Sequence, residues 1–357
     1  MMKAQLPATA AQRTCRAFTL VELLVSLAVL GLIILLVAQM LGPASAISGT
    51  GNKHIDTDTQ ARVILDRMAV DFAQMFRRTD IDYYLKAPTG YKNPNPHGKN
   101  IKLTGGAQKG NDQIAFFSQT PGYNDTSSSW QSPVSLVAYR VNGNPNLPSS
   151  YLMLERMGKG LLWNGVNNNV SGSNAIYPIV FLPGQIAAGN PPWNQGSPQW
   201  YAAVNNDTSG KSSDPDYQTI GPGVFRLEYY YLRKDGSIKD IPALTWDGTQ
   251  TVSANLNAFS DVEAIVVAIA VIDPATRSMI SPATLVNMLS DMADFKNANG
   301  NGIGAQKIGD LENNWNLAVQ SAASTGRTSD GSPFPPAAAS AIRIYNRYFD
   351  LRTPAQF

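Results

Sequence analysis

The sequence predicts an α+β protein in which a long N-terminal hydrophobic helix precedes a globular head built mainly on antiparallel β-sheet. Three observations carry that expectation. Residues 18–41 form an apolar run of 24 residues with a single charge, Glu22. Apolar residues then recur at helical spacing from about Thr59. Beyond Lys86, β-branched and aromatic runs are separated by stretches rich in Gly, Pro, Asn and Ser.

The first element is long enough to cross a bilayer. At 1.5 Å per residue, residues 18–41 would make a helix of roughly 36 Å, against a hydrocarbon core of about 30 Å. Residues 1–17 carry Lys3, Arg13 and Arg16 and no acid, which keeps that end cytoplasmic by the positive-inside rule. Everything after Leu41 is then exported. An ordinary signal peptide is the competing reading, with Ala44-Ser45-Ala46 as its cleavage site. Glu22 argues against it, because an acid inside an apolar span is costly and marks function.

The rest divides into a linker and amphipathic helix over 42–85 and a head over 86–357. Gly42-Pro43 and the glycines at 49 and 51 are expected to interrupt or bend the helix. A second helix is predicted from Thr59 to Leu85, with Ile64, Leu65, Met68, Phe72, Met75 and Phe76 on its buried side. Asp56, Thr57 and Asp58 are its candidate caps. Strands are predicted at Gln113–Phe117, Val134–Val141, Tyr151–Arg156, Ile179–Leu182, Val224–Leu232 and Val262–Ile272. The last is so apolar that it reads as a buried central strand. Of Tyr229, Tyr230 and Tyr231, one is expected in the core and two at the surface. Ser281-Pro282 opens a helix with cap and proline in the preferred order, and Leu285, Leu289, Met292 and Phe295 supply its buried face. A further helix is expected over Leu311–Ala323 and a terminal strand over Ala341–Leu351.

The run Phe18-Thr19-Leu20-Val21-Glu22-Leu23-Leu24-Val25-Ser26 resembles the N-terminal motif of type IV prepilins and type II secretion pseudopilins. The resemblance implies that prepilin peptidase cuts between Ala17 and Phe18 and that Phe18 is then methylated. It also implies a pilin-like fold in which Glu22 serves assembly with other pilin or pseudopilin subunits. One departure is Ala17, where the family normally has Gly; it is small enough for a tight peptidase pocket. Further along, Gly223-Val224-Phe225-Arg226-Leu227-Glu228-Tyr229-Tyr230-Tyr231 and Val271-Ile272-Asp273 resemble the heads of large minor subunits of the pilin W and pseudopilin J kind. They are similar also to the prepilin-like group called Verru_Chthon cassette protein C.

Composition narrows the function classes. With 28 Lys+Arg against 26 Asp+Glu the formal net charge is +2, and loss of the leader bases would leave about −1. Neither value makes an electrostatic case for nucleic acid. The single cysteine, Cys15, lies in the leader, so the head must rely on its core instead of disulfides.

Signatures of chemistry are weak. Gly210-Lys211-Ser212 echoes a phosphate loop, but Asn205 stands where its first glycine belongs. His54 and His97, the two histidines, lack metal-ligand spacing. Asn297, Asn299, Asn301 and Gly302 mimic the front of a calcium loop whose closing acid is replaced by Ile308. No enzymatic activity, cofactor or metal is expected. The reading is a single-pass inner-membrane prepilin-like minor subunit, leader cytoplasmic and head periplasmic or extracellular. The alternative is a membrane-anchored surface-binding protein whose Asn/Gly-rich loops recognise a ligand without assembling into filaments.

Overall fold

The computed structural model describes residues 19–77, 84–85, 111–123, 131–160, 217–239, 262–295 and 307–351, with backbone alone for 40–53 and 84–85. Two compact units divide the chain, Met1–Asn52 and Lys53–Phe357.

Helix α1 spans Leu20–Ala73. The expected interruption at Gly42-Pro43 and the glycines at 49 and 51 is therefore not found. A proline inside a helix removes one i→i−4 hydrogen bond and costs about 3 kcal/mol. Strongly helical runs on either side carry the backbone across it. Asp56, Thr57 and Asp58 consequently lie within the helix and do not cap it. The helix also ends earlier than Leu85. After Ala73, the Phe76 N–H donates to the Phe117 carbonyl (2.9 Å) and the Gln119 N–H to the Gln74 carbonyl (3.0 Å), so the backbone changes partners from helix to sheet.

Among the described residues eleven strands follow, named in chain order. The first seven are β1 (Tyr84–Leu85), β2 (Ile114–Ser118), β3 (Gly122–Tyr123), β4 (Gln131–Ser132), β5 (Ser135–Val141), β6 (Leu154–Gly160) and β7 (Tyr217–Gly221). They form one sheet in the order β1-β2-β5-β6-β3-β4, with β7 also on β6. The remaining four are β8 (Val224–Arg233), β9 (Ile238–Lys239), β10 (Val262–Ile272) and β11 (Ile342–Asp350), in the order β11-β10-β8-β9. Pairing is antiparallel throughout except between β3 and β6. There Gly160 permits the approach, since a Cβ on it would meet the Gly122 carbonyl oxygen at 2.2 Å. The strand expected from Tyr151 begins three residues later. Tyr151 lies in a turn, and buried Leu152 adopts φ 54° to close it.

Strand β10 is central in the smaller sheet and buried on both faces, which explains its apolar sequence. Ile265, Val267, Ile269 and Val271 join a core with Ala61, Ile64, Leu65, Met68 and Phe72 of α1 and with Phe116, Val137 and Tyr139 of the larger sheet. Val266, Ala268, Ala270 and Ile272 face the opposite way, toward a second core. That core is closed by α3 (Pro282–Asp291), α4 (Asp310–Thr325) and α5 (Pro336–Ser340), which follow the short α2 (Pro274–Ser278). Ser281 caps α3 as expected, its Oγ accepting from the Thr284 N–H at 3.1 Å. Because both faces of the smaller sheet are covered, Tyr229, Tyr230 and Tyr231 are all buried, which corrects the expectation that two reach the surface.

Two clusters of charge hold these layers in register. Asp71 of α1 is fully buried and accepts from Arg156 Nε (2.7 Å) and Nη2 (2.9 Å), and from the Tyr139 hydroxyl. Burial, then the Asp71 charge, pushes the Tyr139 hydroxyl well above its ordinary range. On the second core's side, Arg226 Nη2 lies 3.2 Å from Glu228 Oε1 and 2.6 Å from Asp294 Oδ1. The guanidinium stands 5.2 Å from the Trp315 ring. Register places Ala270 opposite Arg226 and Ala268 opposite Glu228, so the two small residues of β10 leave room for this ion pair.

Candidate processing and assembly segment

The expected site falls at the start of α1. Ala17 and Phe18 lie outside the described residues; Glu22 lies within them. Thr19 precedes the first helical residue, and Glu22 is in the first turn. Glu22 Oε2 accepts from the Thr19 N–H and from Thr19 Oγ1, both at 3.1 Å. In return, the Glu22 N–H donates to Thr19 Oγ1 at 3.3 Å. This is a reciprocal capping box, satisfying two helix-start donors that otherwise lack partners. Thr19 was not among the expected site residues, although Thr19-Leu20-Val21-Glu22 has the T-x-x-E spacing that signals a capping box. One turn on, the Ser26 hydroxyl donates to the Glu22 carbonyl and to the Leu23 carbonyl (3.3 Å). The polar side chains of the first two turns thus bond back onto their own helix.

The capping box leaves the charge of Glu22 unbalanced. Its donors are a neutral amide and a neutral hydroxyl, and no cationic side chain pairs with it among the described residues. Around it the surface is apolar. Leu20–Gln39 is a 20-residue stretch of mean hydropathy 3.0, long and apolar enough to cross a membrane, with none of it buried within the protein. An apolar face of this size requires a lipid or protein partner.

Residues 12–38 match the family model for the prokaryotic N-terminal methylation motif. The chain carries a prepilin-type N-terminus. Proteins with this motif are processed by prepilin peptidase, and the apolar helix fits a single-pass membrane-anchored protein. No curated protein matches the chain.

Elsewhere, the structure brings His54 of α1 against Arg343 of β11, with Nε2 and Nη2 2.6 Å apart. Among the described residues, no group of three or more His, Cys, Asp or Glu converges as a metal site. His97, Gly210-Lys211-Ser212 and Asn297–Gly302 lie outside the described residues.

Proposed function

We propose that this prepilin-type protein is a minor pilin or pseudopilin, assembled with related subunits into a type IV pilus or a type II secretion pseudopilus. It performs no chemistry of its own. Prepilin peptidase removes residues 1–17 by cutting between Ala17 and Phe18, and the new Phe18 amine is methylated. Before assembly the helix over 18–41 resides in the inner membrane, leader cytoplasmic and head on the periplasmic or extracellular side.

The observation that carries this reading is Glu22, a carboxylate with no cationic partner among the described residues, in the first turn of an exposed apolar stretch that matches the methylation motif. In a mere anchor that charge is a cost. In a filament the apolar surface leaves lipid by burial against neighbouring helices, and the Phe18 amine of an adjacent subunit supplies the missing cation.

The test compares wild type with Glu22→Gln, which keeps the shape and the hydrogen-bonding oxygen but deletes the charge. Membrane insertion and the Phe18 N-terminus, read by mass spectrometry, are expected to persist. Incorporation into sheared filament fractions, read by immunoblot, is expected to fall severalfold. Equal incorporation would remove assembly as the role of Glu22 and favour a membrane-anchored surface-binding protein. An N-terminus other than Phe18 would overturn the assigned cleavage.

A further inference from the structure

We propose that His54 and Arg343 form a pH-sensitive clasp, which holds the first turn of the head's helix against β11 near neutral pH and releases it on acidification. The inference goes beyond filament assembly and stands on contacts within the head.

Strand β11 grips α1 through alternate side chains. Arg343 Nη2 meets His54 Nε2 at 2.6 Å, the Tyr345 hydroxyl donates to Asp58 and lies 3.2 Å from Thr57 Oγ1, and Arg347 pairs with Asp66. Only the first of these contacts depends on a group that ordinarily titrates between about pH 5 and pH 8. A guanidinium can only donate and keeps its proton at any physiological pH. For the contact to be a hydrogen bond, His54 must therefore be neutral, with a lone pair on Nε2 and its proton on Nδ1. Protonation places a second N–H at Nε2, facing the guanidinium at hydrogen-bond distance. Acceptor becomes donor, and two like charges meet.

The surroundings determine what gives way. Nδ1 is buried and has no hydrogen-bond partner among the described residues, so no second bond fixes the neutral tautomer. Among the described residues, the charged and titratable groups nearest His54 along α1 are the exposed Asp56 and, one turn on, Asp58; those of β11 at this contact are Arg343 and Tyr345. Asp58 is the anion one turn along α1, and Arg343 is the cation among these groups. Arg343 is then the group expelled. The Tyr345–Asp58 and Arg347–Asp66 contacts contain no histidine, so the release is confined to residues 54–58.

The test uses the full chain in detergent micelles and hydrogen exchange, with protection corrected for the intrinsic pH dependence of exchange. Between about pH 7.5 and about pH 5, protection over residues 54–58 is expected to fall about tenfold, the effect of one lost charge-assisted hydrogen bond, while β10 stays unchanged. His54→Gln supplies an acceptor that does not titrate, so its protection is expected to be the same at both values. Arg343→Gln, whose amide can turn to accept from an imidazolium, is expected to abolish most of the step. Constant wild-type protection would overturn the clasp, and so would an equal step in wild type and His54→Gln.

Discussion

Asp71 is where the head's helix meets its larger sheet. Its carboxylate receives both forks of Arg156 and the Tyr139 hydroxyl, while its own carbonyl accepts from Ser118 Oγ at 3.1 Å. Arg67, one turn earlier, lies 3.6 Å away and is largely solvated, so it adds little. Replacing Asp71 by Asn keeps the shape but strands a partly buried guanidinium without its anion. Loss of one partner from such a pair costs about 3–5 kcal/mol. Asp71→Asn is accordingly expected to lower the thermal midpoint of the head by several degrees or more. Arg67→Gln, measured alongside, should move it by no more than about a degree. A small effect of Asp71→Asn would show that Arg156 finds another anion. None of this partnership was legible in the sequence. An acid within a helical pattern gives no local sign of its partner, because helical spacing reports a side chain's direction and not what lies 85 residues further on.

At the scale of elements, β10 was legible because burial on both faces erases alternation, leaving an apolar run that only a central strand accommodates. The finer pattern within it carries a further meaning. Ile and Val fill the face toward α1, whereas Ala268 and Ala270 lie opposite Glu228 and Arg226 on the other. Enlarging Ala268 to Leu is expected to cost about 1–3 kcal/mol by displacing the ion pair from Trp315 and Asp294, despite the greater apolar content. Val267→Leu, on the face away from the Arg226–Glu228 pair, should cost less. Denaturation midpoints of the two variants would settle the ordering, and equal losses would mean that the alanines merely save space. Elements bounded by local chemistry were also legible, as at α3 with its Ser281-Pro282 start. Those bounded by distant partners were not. The end of α1 at Ala73 is set by backbone bonds to Phe117 and Gln119, and no local signal marks it.

For the whole molecule, the question is whether the head depends on the apolar helix. Among the described residues, both cores lie within the second unit, and neither uses a residue before Ala61. The first unit contributes an exposed apolar surface and the methylation motif instead. A fragment beginning at Lys53 keeps the described residues of both cores, the Asp71 and Arg226 clusters, and the contacts of Arg343, Tyr345 and Arg347 with α1. It loses about 50 Å of helix, of which the stretch Leu20–Gln39 buries nothing within the protein. Such a fragment is expected to be soluble without detergent, to show mixed helix and strand by circular dichroism, and to melt cooperatively. Its midpoint should lie within a few degrees of that of the full chain's head in micelles. Aggregation, or a broad transition without a baseline, would mean that the apolar helix stabilises the head. The cost of Asp71→Asn should be the same in the fragment and in the full chain, because every partner of that carboxylate lies after Lys53.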